Sequence, residues 1–453
     1  MKRKILSIML VTAMTASLVA CGSSGSNTKS NSDKKDAVST EASTAASSKS
    51  ATGEDKNTLT VWCWDETFNV YAMKEAAKFY QKDHPEVKVN VVTTAWEDLQ
   101  TALTTAATSG DYSTLPDIVL VQDNAFQKNV ISYPDLFQDI TKSGIDFTKF
   151  AAGKTAYSTV DGKNYGVPFD NGAVIACYRT DILAQAGYKI DDLTNITWDK
   201  FQTIGADVLA KTGYALDSTE SGEPDLIMMM LQSAGSSLFD KSGKPTIKDN
   251  ATLKAVVNTY ASLAKSGALA LTDDNWDEYI KSFNSGKTAG AINGCWIMGS
   301  IQSAKDQSGK WAITTMPSLK GVDGATNYSN NGGSSWAVTA NSKNSKLATD
   351  FMNSTFAGNV EFYGDILPSS GAIATWAPAA KADVYSKPSE FFGGDTVFTK
   401  IVDYASKVPT NNTGVYYYEA RDAIATAVTN IMKGADVDSE LANAQATVES
   451  YIH

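Results

Sequence analysis

The chain has 453 residues, 43% of them apolar, with 39 basic against 50 acidic side chains, two histidines and four cysteines. That length accommodates two or three domains, each with a buried core, and the net charge of −11 excludes nucleic acid or an anionic membrane face as a surface-bound partner. With only His84 and His453 present, a multi-histidine metal centre is excluded, and neither a metal nor a cofactor is expected.

In chain order the first element is an address segment. Lys2, Arg3 and Lys4 precede an apolar run from Ile5 to Val19 that is too short for a stable transmembrane helix, and the chain continues Leu18, Val19, Ala20, Cys21, Gly22. This resembles a bacterial lipoprotein signal, which implies removal of residues 1–20 as a signal peptide and lipid on Cys21. Residues 21–57 are dominated by Ser, Thr, Ala, Gly, Lys and Asp and carry no aromatic side chain. Such a stretch cannot bury enough apolar surface to offset its ordering entropy, so a disordered tether is expected.

The folded region opens with Leu59–Trp64, apolar on both alternating faces and suited to a central parallel strand. Met73, Ala76, Ala77 and Tyr80 then fall at helical spacing, ended by His84 and Pro85. Val87, Val89 and Val91 alternate as a second strand, a helix runs from Trp96 to about Ser109, and Pro116 leads into a strand over Asp117–Val121. Strand, helix, strand, helix, strand predicts an α/β fold. The cysteines after the signal, Cys63, Cys177 and Cys295, are odd in number and set in apolar or aromatic sequence, which favours buried free thiols; the alternative is a disulfide formed outside the cytoplasm, for which the sequence selects no pair.

In open sheets of this kind, ligands bind beyond the carboxyl ends of the strands. That rule selects Trp64, Asp65, Glu66 and Phe68 after the first strand, and Gln122, Asp123, Asn124 and Phe126 after the third. Similar mixtures of aromatic and short polar groups recur at Phe169, Asp170 and Asn171, and at Trp296 after a strand predicted over Ala289–Asn293. They recur again from Asn330 to Trp336 ahead of a strand at Ala337–Thr339, and at Tyr416, Tyr417, Tyr418, Glu419 and Arg421, which open an amphipathic helix to about Met432. A sugar ring presents hydroxyls that donate and accept, beside a face of C–H bonds; carboxylates and amides match the first, and aromatic rings cover the second. Two other suggestive strings fail. Ser285, Gly286, Lys287 and Thr288 lack the glycine-rich lead of a phosphate-binding loop, and Met228, Met229 and Met230, consecutive on a helix, point in different directions and read as core.

Several runs resemble the extracellular solute-binding proteins of carbohydrate ABC transporters, the group that includes the maltose-binding proteins. They are Thr108–Asp111 leading to Leu115–Val119, Gly162–Pro168, Phe283–Trp296, and Asn331–Phe351 ending in Ala348, Thr349, Asp350 and Phe351. The resemblance covers residues 57–453. It implies a periplasmic-binding-protein-like fold: two α/β lobes joined by a hinge of two or three crossings, with a ligand cleft between them. Matching runs place lobe 1 at 58–170 and 332–370, and lobe 2 at 173–328 and 373–453, with Phe169–Gly172 as hinge strand and cleft wall.

Carried over residue by residue, the resemblance gives Asp65, Glu66, Asp123, Asn124, Phe169, Asp170 and Asn171 as sugar-binding positions, beside Trp64 and Phe68 from the strand-end rule. It adds Trp296 as a stacking aromatic, Gly332 and Gly333 as points of close backbone approach, Tyr416 and Tyr417 as stacking positions and Arg421 as a polar clamp. The maltose-binding pattern has a basic residue in the first loop, where this chain has Asp65, Glu66, Thr67 and Phe68. The first loop and the D-N-A-F-Q-K run resemble the branch taking arabinose-, galactose- or lactose-type di- and oligosaccharides. The implied role is a monomeric, lipid-anchored, extracytoplasmic component of an ABC importer that captures a neutral oligosaccharide and hands it to the membrane permease. The alternative is a cell-surface glycoside hydrolase using paired carboxylates, such as Asp65 or Glu66 facing Asp170.

Overall fold

In the computed structural model the described residues are 55–452. The predicted signal peptide, nearly all of the tether, Cys21 and His453 lie outside them. Two α/β lobes are built on two principal sheets. The first sheet has five strands in the order Lys88–Thr93, Thr58–Cys63, Ile118–Gln122, Ser334–Val338, Gly166–Pro168. Its first three strands are parallel, with Val61 opposite both Val91 and Ile118, and Ser334–Val338 runs antiparallel to both of its neighbours. Alternation explains why this sheet is covered on both sides. Leu59, Val61, Cys63, Ile118, Leu120 and Trp336 enter one apolar cluster, whereas Val119, Val121 and Ala337 enter another with Leu99, Leu103 and Phe126.

The second lobe centres on Val174–Arg179, flanked antiparallel by Gly290–Gly294 and Trp311–Thr314. Val174, Ala176 and Tyr178 face one cluster, which also takes Met228, Met229 and Met230, so the three methionines are core. Ile175 and Cys177 face another. A parallel pair, Asp217–Glu220 with Leu269–Thr272, belongs to the same half. Cys63, Cys177 and Cys295 are buried and unpaired with one another, as their apolar settings predict.

The chain passes between the principal sheets at 169–173 and again just before Ser334, and the two passages are stitched by an Ala173–Asn330 bridge. They run so close that a Cβ on Gly172 would lie 2.1 Å from the Asn331 carbonyl oxygen, a distance no side chain tolerates. A third passage follows the helix Val360–Ser370. Ala372, Trp376 and Ala379 pack with the first sheet, while Ile373 and Val384 pack with the second lobe, so this passage is spread over some residues instead of being one sharp break.

Element ends differ from the sequence reading where pairing recruits residues of low strand propensity. The strand expected at Ala337–Thr339 begins at Ser334, because Ser334 and Ser335 pair with Gln122 and Val121 on one side and Ser335 with Pro168 on the other. The helix Asn69–Gln81 starts ahead of its apolar stripe, held by the Asn69 side chain, whose Oδ1 accepts from the Trp64 and Asp65 amides.

Candidate functional site

Between the lobes lies a cavity of about 340 Å³, bounded by loops at strand ends from both sheets. From the first lobe come Trp64, Asp65 and Phe68, then Trp96 and Glu97 at the start of the next helix, Gln122, Asn124 and Asp170. The loop after Cys63 is rigid. Asp65 Oδ1 accepts from the amides of Thr67 and Phe68 at 2.8 and 3.0 Å, which fixes a tight turn and aims the neighbouring Trp64 ring. Trp64 meets Trp96 edge-on at 5.1 Å, and Trp96 reaches Tyr418 of the opposite lobe at 5.9 Å.

The second wall carries Glu220, Glu223, Asp225, Trp276, Trp296, Tyr417, Tyr418 and Arg421, with Asn331, Gly332 and Gly333 of the crossing between. Trp276 and Trp296 lie 5.8 Å apart, and Trp296 Nε1 donates to the Asn331 carbonyl at 2.9 Å. Asn331 Nδ2 donates in turn to Asp225 Oδ2 at 2.9 Å and to Asn293 Oδ1 at 2.8 Å. Arg421 closes the network by pairing with both Glu223 and Asp225, the latter at 2.5 Å. The walls touch at the mouth, where Lys128 pairs with Glu419 and the Tyr418 hydroxyl donates to Gln122 Oε1.

Electrostatics distinguish the walls. Burial pushes the Glu220 carboxyl up to about 8, reinforced by Glu223, Asp225 and Asp274 and opposed by Arg421. Burial also raises Glu223 against the pull of Arg421. For Arg421, burial opposes the charge, but Asp225 and Glu223 outweigh it and hold the guanidinium proton more firmly.

Ten of the fifteen positions given as sugar-binding from sequence meet at this cavity: Trp64, Asp65, Phe68, Asn124, Asp170, Trp296, Gly332, Gly333, Tyr417 and Arg421. Gly332 and Gly333 both adopt positive φ, +81° and +104°, and a Cβ on Gly333 would press on Asp123 and Lys154 at 2.7 Å. The other five stand off the cavity lining. Glu66 is exposed and bonded to Thr93 and Lys74. Asp123 is buried behind the wall, paired with Lys154 and accepting from the Ser335 hydroxyl at 3.1 Å. Phe169 is fully buried among Phe68, Trp336 and Phe356, so it supports the wall from behind. Asn171 uses its backbone, its amide donating to Ile373 and its carbonyl accepting from Cys295 Sγ. Tyr416 packs on the large cluster of the second lobe.

Sequence reasoning missed Trp96, Trp276 and the acidic group at 220–225 as wall residues. Trp96 and Trp276 each open a helix shortly after a strand, so the strand-end rule applied consistently finds them. Glu220 is different, because its strand reads Asp, Ser, Thr, Glu and shows no apolar alternation at all. Among the described residues, no group of three or more His, Cys, Asp or Glu side chains is arranged to hold a metal ion, and no helix is long and apolar enough to cross a membrane.

Two α/β lobes, three chain passages and a cleft walled by aromatic rings and hydrogen-bonding groups define a two-lobed ligand-binding protein. Residues 75–392 match the bacterial extracellular solute-binding protein family, and the chain belongs to that family. It is 40% identical over 398 residues to a lactose-binding protein of Rhizobium radiobacter, covering 88% of this chain and 94% of that relative. It is 27% identical over 320 residues to an arabinooligosaccharide-binding protein of Bacillus subtilis (strain 168), covering 67% and 70%. In fold it matches the ABC transporter associated binding protein of B. animalis subsp. lactis Bl-04, solved with beta-1,6-galactobiose. The TM-score there is 0.75 at 22% identity, over 87% of this chain and 97% of that one. Family membership places the folded lobes outside the cytoplasm and makes solute capture their role.

Proposed function

We propose that this chain is the sugar-binding component of an ABC importer, capturing a di- or oligosaccharide of the lactose, galactose or arabinose type between its lobes and delivering it to the permease. The observation that carries the reading is the cavity itself: Trp64, Trp96, Trp276 and Trp296 offer ring faces beside Asp65, Asn124, Asp170 and Asn331, which match hydroxyls. The names of the lactose-binding and arabinooligosaccharide-binding relatives agree with it. The hinge lies at the passages 169–173 and 330–333 and in the stretch after Ser370. Ligand shifts the lobes toward closure only through contacts made to both walls at once, and Trp64 and Trp296 stand on opposite walls. Nine of the ten cavity-lining positions act directly on sugar, Arg421 acts by holding Glu223 and Asp225, and Asp123 and Phe169 act by supporting the wall. Cys21 carries the lipid that tethers a monomer to the outer face of the cytoplasmic membrane.

The chain captures sugar without cleaving it. Four of the six carboxyl groups lining the cavity are engaged: Asp65 in its own turn, Asp170 Oδ1 by Ser334 at 2.6 Å, and Glu223 and Asp225 by Arg421. A thermal-shift series with lactose, beta-1,6-galactobiose, arabinobiose and maltose tests the reading, because a ligand bound to the native state raises the melting temperature by mass action. At least one of the first three raises it, with no new reducing ends on prolonged incubation. A melting temperature indifferent to all four sugars overturns capture, and the steady appearance of reducing ends overturns the non-enzymatic role.

A further inference from the structure

The cavity holds one cation, Arg421, among six carboxyl groups: Asp65, Glu97, Asp170, Glu220, Glu223 and Asp225. That cation is already spent. Its guanidinium pairs with Glu223 and Asp225 together, its side chain is only 15% exposed, and it lies over the Tyr418 ring at 5.8 Å. Asp225 is itself fixed from a second side by Asn331 Nδ2, so the pair does not open without disturbing the crossing strand. Glu220 sits beside this group and near Asp274; burial first, and then the charges of Glu223, Asp225 and Asp274, push its carboxyl up to about 8. An anion entering this space would meet carboxylates without a free counter-charge, whereas a cation would relieve them.

We propose that Glu223 and Asp225, by holding Arg421 between them, set the sign of charge the cleft accepts: saccharides bearing a protonated amine enter and those bearing a carboxylate are refused. This rests on the sugar-capture reading and adds to it a substrate class, amino sugars, and two specificity-determining residues. Recognition by ring stacking is indifferent to such a substituent, so the aromatic walls supply affinity and the acidic group supplies selection.

The test is a charge ladder on one skeleton. Whichever of lactose, beta-1,6-galactobiose or arabinobiose binds is compared by calorimetry as its alditol, its aldonate and its 1-amino-1-deoxyalditol, which share an open-chain end and differ in charge alone. At low ionic strength the aldonate binds at least about tenfold more weakly than the alditol, the aminoalditol binds at least as tightly, and added salt narrows both gaps. The double variant Glu223→Gln, Asp225→Asn frees Arg421, and the aldonate then binds as well as the alditol or better. An aldonate within about twofold of the alditol on the unaltered protein overturns the proposal while leaving sugar capture standing. If no neutral sugar binds, both readings fall together. Should the double variant not fold, the ladder and its salt dependence on the unaltered protein decide alone.

Discussion

In the wall formed by the five-stranded sheet, Asp170 at its surface and Asp123 behind it are buried with partners: Lys154 for Asp123, the amide and hydroxyl of Ser334 for Asp170. Behind the opposite wall Asp217 is equally buried, yet one of its carboxyl oxygens has no hydrogen-bond partner, and the nearby acids share a single arginine. Burial raises all three carboxyls, but Lys154 and the hydroxyls of Ser335 and Ser334 oppose it at Asp123 and Asp170, whereas backbone amides alone oppose it at Asp217. The first wall is therefore a fixed scaffold for stacking, and the second is a reservoir of negative charge held in check by protons and by Arg421.

The sharpest way to break this contrast is to remove the scaffold's cation. Lys154→Met leaves Asp123 and Asp170 buried together without their counter-charge, and chemical denaturation should show a loss of about 3–5 kcal/mol. A loss within about 0.5 kcal/mol, the range of an ordinary surface change, would mean that the pair is not what holds the first wall.

Next in size is Trp296→Ala. This ring is only partly buried, but it packs on apolar clusters of both lobes and its indole N–H bonds Asn331. The unliganded protein should lose about 2–3 kcal/mol, less than a fully buried tryptophan costs, and sugar should no longer raise the melting temperature. An unchanged sugar response would place the binding surface on the first wall alone.

The smallest effect is a slope with pH. Burial raises Asp217 from 3.8 to about 7, opposed by the amides of Ser218 and Ile292. The folded state thus binds this proton more tightly than the unfolded one. The resulting stabilisation is complete below about pH 4 and is lost as pH rises through about 7. Melting temperature should fall between pH 5 and pH 8, and Asp217→Asn, neutral throughout, should flatten that fall in part. Glu220, raised to about 8, and Asp123, raised to about 6, act in the same direction. An identical slope in the variant would show that Asp217 titrates normally.

The amino-acid sequence by itself determined the α/β class, the first three strands with their helices, the buried methionines and free thiols, and the loops after Cys63 and before Ser334 as cleft material. Each of these is written in local periodicity or in the placement of aromatic and polar residues at element ends. The tertiary structure alone decided which neighbour in a pair faces the cavity. Asp65 and Glu66 are adjacent, as are Phe169 and Asp170, yet in each pair one lines the cleft while the other turns to solvent or core. Chain direction and turn geometry reverse a side chain's facing from one residue to the next. The acidic group at 220–225 came from tertiary structure too. Its strand has no apolar signature, and only the docking of the Tyr417–Met432 helix brings Arg421 onto Glu223 and Asp225, roughly two hundred residues away along the chain.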